Sequence, residues 1–244
     1  MNFKLTLMIA AVVIMVTAAI TYTYEGINTA QAAKDDNPQF IDYFNLGECT
    51  WSSTGSNRYF ILEPGYQLVL KGKEGSQAVQ LTITVLDETN TIDGIQTRIV
   101  EEKETHDGKL VEISKNYFAN CTQNNNVFYF GESVDIYQDG QVVSHESSWL
   151  HGQDGARAGL IMPGSPLEDY AYYQEIAPGV ALDRAVIESL DERIKTPAGV
   201  FRNSLETIET SPLEPTAQDF KWYAPDVGLV KSNTLKLVEY GYIG

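Results

Sequence analysis

From Gln67 onward, apolar and polar side chains alternate with a period of two in short runs enriched in β-branched and aromatic residues, the pattern of half-buried strands. Val79, Leu81, Ile83 and Val85 fall on one face of such a run, with Gln80, Thr82 and Thr84 on the other. Asp-Gly dipeptides stand at Asp93-Gly94, Asp107-Gly108, Asp139-Gly140 and Asp154-Gly155. The first three lie between alternating segments, where a tight hairpin needs two residues that tolerate positive φ. None has the Asp-x-Asp-x-Asp-Gly spacing that clusters oxygen ligands for calcium, so all four are read as turns. Residues 79–146 therefore predict an antiparallel meander of strands 79–87, 95–105, 109–121, 127–130, 134–138 and 141–146.

Residues 151–179 break the pattern with Gly152, Gly155, Gly159, Pro163, Gly164 and Pro166, followed by Tyr170, Tyr172 and Tyr173. A long irregular excursion of this kind is usually a crossover or a functional loop. In the next segment, residues 181–194, Leu182, Val186, Leu190 and Ile194 recur every four positions, and that periodicity alone favours an amphipathic helix. Thr196-Pro197-Ala198-Gly199 reads as a turn, and 200–210 as a strand that needs a neighbour. Strands 220–223, 228–231 and 235–240 complete the chain. No charge-rich linker or repeat interrupts it, so 38–244 is expected to be one β-rich domain.

The N-terminus changes the setting. Lys4 precedes an apolar run from Leu5 to Ile20, shorter than the roughly 20 residues that span a bilayer, and Ala30-Gln31-Ala32 offers a small-x-small cleavage site. Residues 1–32 are expected to be a signal peptide, with 33–37 a short flexible start from Ala33. The long polar stretch from Thr21 to Ala30 leaves an uncleaved membrane anchor as the alternative. Export gives the only two cysteines a meaning, since thiols outside the cytoplasm tend to oxidise. A Cys49–Cys121 disulfide is expected. Asn120-Cys121-Thr122 matches a glycosylation acceptor, which in this context is read as chance.

With 33 acidic and 17 basic residues the formal charge is −16, a field that repels phosphate backbones, and no cationic run offsets it. Nucleic acid is excluded as a partner. At 43% hydrophobic and 11% aromatic content the chain can bury a substantial core, so disorder is excluded as well.

The strings Thr196-Pro197-Ala198-Gly199-Val200-Phe201 and Trp222-Tyr223-Ala224-Pro225-Asp226-Val227-Gly228-Leu229-Val230-Lys231 resemble a group of uncharacterised bacterial and archaeal exported proteins with a "PAG-x-F" hairpin and a "YAPGVGLV" string. Val127 to Glu132, Ser148-Trp149, Gly155 to Pro163 and Tyr173-Gln174-Glu175 are similar to the same group, so the resemblance covers about residues 110–240. It implies a mainly β fold: a single antiparallel, strongly curved sheet, similar to the half-barrel of outer-membrane lipoprotein carriers. It also implies that 181–194 is a strand paired with 200–210. This chain departs from the pattern at Asp226, where a glycine is expected. The group lends no activity.

Candidate chemistry is sparse. Of His106, His145 and His151, only His145-Glu146 with His151 and Asp154 suggests a metal, and a strand puts His145 and Glu146 on opposite faces. No Gly-x-Ser-x-Gly elbow or phosphate loop is present, and no cofactor is expected. Glu101-Glu102, Glu132 and Glu175 could serve a glycosidase, which needs two acids at suitable separation, but 33 acidic residues make such pairs common. The aromatics are more informative: Trp149, Met162, Tyr170, Tyr172, Tyr173, Trp222 and Tyr223 concentrate in the excursion and the C-terminal hairpin. Amphipathic rings suit a concave face that accepts an apolar or glycan-like ligand. The expected function is therefore binding or carriage of such a ligand. A structural surface protein without a ligand is the alternative, and a glycosidase the third reading.

Overall fold

The alternation runs through eleven strands of five or more residues in the computed structural model, which describes residues 38–243. The expected signal peptide and its cleavage site lie outside the described residues. The strands are β1 (Tyr66–Glu74), β2 (Gln77–Ile92), β3 (Ile95–His106), β4 (Lys109–Cys121), β5 (Asn126–Gln138), β6 (Arg157–Met162), β7 (Arg184–Thr196), β8 (Gly199–Ser211), β9 (Glu214–Ala224), β10 (Gly228–Ser232) and β11 (Leu235–Tyr242). All belong to one antiparallel sheet, in the order β7-β8-β9-β10-β11-β1-β2-β3-β4-β5-β6.

The Asp-Gly turns behave as their chemistry requires. Asp93, Asp107 and Asp139 have φ of 46°, 49° and 51°, and the glycine after each is also positive, the backbone of a type I′ hairpin turn that matches strand twist. Asp226 takes φ 62° in the β9–β10 turn, so an aspartate adopts there the left-handed conformation expected of glycine.

Closure comes from one short stretch. Ala171–Tyr173 pairs with β7 at one edge of the sheet, and Glu175–Ile176 pairs with β6 at the other, the chain switching edges at Gln174. The sheet is thereby nearly closed into a barrel. Gly159 in β6 makes the approach possible, since a Cβ there would lie 2.4 Å from the Gln174 carbonyl oxygen and 2.6 Å from that of Tyr173. Residues 38–52 lie outside this seam and the neighbouring strands. The Ile41 amide donates to the Ala171 carbonyl at 3.0 Å, and the Tyr173 amide to that of Ile41 at 2.9 Å. Trp51 packs edge-on against Phe128 and Phe130 of β5, with ring centroids 5.5 and 5.1 Å away.

The Cys49–Cys121 disulfide is formed, with Cα atoms 5.1 Å apart and a sequence separation of 72. It ties the N-terminal segment to the end of β4, and a loop of that length gives about 4 kcal/mol in the chain-entropy account. Asn120 is buried in β4, where no glycan could reach it.

Two expectations are corrected in detail. Residues 151–179 are not irregular throughout, because they contain β6 and the closing pairs. Residues 184–196 form a strand, against the helical periodicity and in line with the resemblance. Register shifts between Ile187 and Ser189, Ser189 and Glu192, and Glu192 and Ile194 move the buried face from Ala185 and Ile187 to Ile194 and Thr196, so bulges account for the irregular apolar spacing.

Candidate functional site

Strand alternation decides what the barrel holds. Leu68 of β1, Leu81, Ile83 and Val85 of β2, Val100 of β3, Tyr223 of β9 and Leu229 of β10 line an apolar lobe of about 120 Å3 inside the barrel. Residues 59–61 cap it, and Glu104 and Glu112 form its polar margin. For scale, a dry cavity of about 150 Å3 lined by aliphatic and aromatic groups holds benzene.

A second lobe, of about 130 Å3, adjoins the first, and its lining includes Glu102, Asn116, Tyr129, Glu132, Gln174, Glu175, Asp183, Glu209, Ser211, Asp219 and Lys221. Glu102, Phe118, Ile161 and Lys221 line both lobes. The barrel interior is thus apolar in one part and rich in carboxyl groups in the other.

Burial sets the protonation of these groups, because a low dielectric disfavours the charged form. It pushes Glu132 up to about 8, with Glu112, Asp183 and Glu102 adding repulsion and the Tyr129 hydroxyl opposing. Glu112 rises to about 7 through burial and then the charges of Glu104 and Glu102. Glu175 goes well above the usual carboxylate range through burial and the neighbouring Asp183, whose carboxyl it hydrogen-bonds. Asp183 is raised as well, first by its burial, so the protonated form is favoured on both members of the pair. Tyr129 Oη lies 2.6 Å from Asn116 Oδ1 and 3.0 Å from Glu132 Oε2. The phenol has one proton to donate, to Asn116 Oδ1 or to Glu132 Oε2.

Lys221 is the only cation among the residues lining the two lobes. Its Nζ lies 2.7 Å from Glu209 Oε2. Burial works to lower the ammonium, but Glu209 and Tyr223 outweigh it and hold Lys221 well above its ordinary value. Glu209 also accepts hydrogen bonds from Gln174 Nε2 at 3.1 Å and Thr207 Oγ1 at 3.2 Å, so the seam residue Gln174 is anchored to the ion pair.

The aromatic set expected from the sequence does not share one lobe. Tyr223 lines the apolar lobe. Trp149 is buried edge-on against Tyr129, centroids 5.2 Å apart, and lines a third cleft, of about 370 Å3, with Tyr117, Leu150 and Pro178, which shares Glu132 and Val180 with the polar lobe. Met162 and Tyr172 are fully buried. Tyr170 packs on Tyr172, centroids 5.3 Å apart, and Tyr173 meets Phe40 at the seam. Trp222 faces outward, with Lys231 Nζ 3.4 Å from its ring centroid and Phe220 stacked beside it.

The carboxyls, by contrast, converge. Glu102, Glu132 and Glu175 line the polar lobe together, while Glu101, adjacent in β3, pairs across to Lys115 on the opposite face. Asp183, Glu209 and Lys221 are site residues the sequence reading missed. The histidines do not assemble a centre: His145 contacts Asp135 at 2.8 Å, His151 lies 3.7 Å from Asp93, and His106 bonds Glu104 at 2.6 Å. Among the described residues no group of three His, Cys, Asp or Glu is placed to hold a metal ion.

Comparison of the chain with protein-family models, with curated proteins and with solved structures gives no significant match.

Proposed function

We propose that this chain is an exported barrel protein that binds a small amphiphilic molecule in its interior. The observation that carries the reading is the junction of an apolar and a carboxyl-rich lobe at Glu102, Phe118, Ile161 and Lys221. A ligand with an apolar body and a polar head satisfies both linings at once, the usual arrangement of small-molecule sites. Each lobe is on the scale of one benzene-sized group of about six carbons, so an amphiphile of about eight carbons, its body in the apolar lobe and its head toward the polar one, is of a size to fit. The disulfide supports an oxidising compartment, and the strings across residues 110–240 support the same placement. N-terminal sequencing of chain from its native host is expected to start near Ala33, and an intact Met1 would contradict cleavage.

Intact-complex mass spectrometry of the mature chain with eight-carbon amphiphiles, longer lipids and oligosaccharides tests the binding reading. One eight-carbon amphiphile per chain is expected. Binding of oligosaccharides alone would shift the site to the cleft at Trp149. A second reading, acid–base chemistry on the bound ligand, is favoured by the convergence of Glu102, Glu132 and Glu175 on one lobe, and turnover of a bound amphiphile would establish it.

A further inference from the structure

The lining of the polar lobe is one-sided in charge. Glu102, Glu132, Glu175, Asp183, Glu209, Glu214 and Asp219 line it with the single ammonium of Lys221, which is already committed to Glu209 at 2.7 Å. Most of these acids are accounted for internally. Glu132 bonds the Tyr129 hydroxyl, Glu175 and Asp183 bond each other, and Glu209 holds Lys221.

Glu102 is the one of these acids that also lines the apolar lobe. It is partly buried and lines both lobes. Among the described residues no side-chain hydrogen bond fixes that carboxyl; its nearest compensation is the charge of Lys221. A partly buried carboxyl with no protein donor is open to a donor on a ligand, and here it lines space sized for a ligand group where the apolar and polar linings meet. An anionic head would meet acids around the polar lobe and no cation that is not already paired. A donor-only, positively charged head would fill the missing bonds of Glu102 and compensate its desolvation.

We infer that the occupant is a short cationic amphiphile, a primary amine whose ammonium sits on Glu102 while its alkyl or aryl body fills the lobe lined by Leu81, Ile83 and Val100. This inference rests on the amphiphile reading above and specifies the head it left open.

Calorimetric titration of the mature chain with n-octylamine, 1-octanol and octanoate at neutral pH tests it. Octylamine is expected to bind at least about ten-fold tighter than octanol, the usual scale of a buried charge-assisted hydrogen bond, and octanoate more weakly than either. In Glu102→Gln, which keeps the shape of the protonated acid, the octylamine-to-octanol ratio is expected to fall to about one. A melting curve confirms that the variant is folded, and Leu81→Trp, which narrows the apolar lobe but keeps Glu102, should weaken octylamine as well. Equal binding of octylamine and octanol by the wild type, tighter octanoate binding, or an unchanged ratio in Glu102→Gln would overturn the cationic head while leaving the amphiphile reading intact. Failure of all three compounds to bind would overturn both.

Discussion

Glu132 holds a proton in the folded chain that it gives up in the unfolded one, since burial raises it from an ordinary 4.5 to about 8. The folded state therefore binds more protons than the unfolded state between those values. The group's stability contribution is fully present below pH 4.5 and is lost as pH rises through 8. Glu112, raised to about 7, acts in the same direction over a narrower window. The slope is on the order of 1.4 kcal/mol per pH unit for each group inside its window. Thermal melts at pH 5 and 8.5 should show Glu132→Gln losing less stability than the wild type over that interval, because the amide stays neutral throughout; parallel losses would contradict the assignment. The Glu209–Lys221 pair gives the second residue-scale prediction. Lys221→Met leaves Glu209 buried without its ammonium and should destabilise the fold by about 3 kcal/mol, as removal of one partner of a buried pair does. Adding Glu209→Gln should recover most of that loss. Melts of the single and double variants check it, and additive losses would mean the pair is not coupled.

At the scale of elements, the seam is the weakest joint. Long strands pair along most of the barrel, whereas the closing segment holds β7 with three residue pairs and β6 with two. Amides of 171–176 should exchange with solvent sooner than those of β2, β3 and β4. Gly159→Ala places a methyl group against the Gln174 and Tyr173 carbonyls, and overpacking of this kind costs about 1–3 kcal/mol. Faster exchange at 171–176 in that variant is expected by hydrogen-exchange mass spectrometry, and unchanged protection there would contradict the role given to Gly159. The same elements explain what could be read from the sequence. The β2–β3 and β3–β4 hairpins were legible because Asp-Gly and strict alternation are local signals. The seam was not, because pairings of two and three residues are too short to carry a period. Bulges in β7 concealed its alternation and imitated a helix. Trp222 and Tyr223 are adjacent in β9, and period two already places them on opposite faces. Glu102, Glu132 and Glu175 are candidate acids from the sequence alone, but their interior position was not legible, because Val100, Glu102 and Glu104 follow one another on one face of β3, and charged positions on a strand ordinarily mark its solvent side. What revealed it was closure of the sheet, which no single strand encodes.

For the whole molecule, closure converts an ordinary acidic sheet into a container. Nine of the 33 acidic residues line the two lobes and the rest lie elsewhere in the chain, where a negative field raises the local concentration of cations. Inside, the same residue type is neutralised by burial and by Lys221, leaving Glu102 at the boundary between lobes. Binding of a small amphiphile in this interior is the central claim. It is tested most directly by calorimetric titration of 1-octanol, whose uncharged head makes the result independent of the charge preference, into the mature chain and its Leu81→Trp variant. The account predicts one site per chain, a negative heat-capacity change from buried apolar surface, and binding weakened at least about ten-fold by Leu81→Trp in a variant that still melts cooperatively. No saturable heat with the wild type, or equal binding by a folded Leu81→Trp variant, would contradict it.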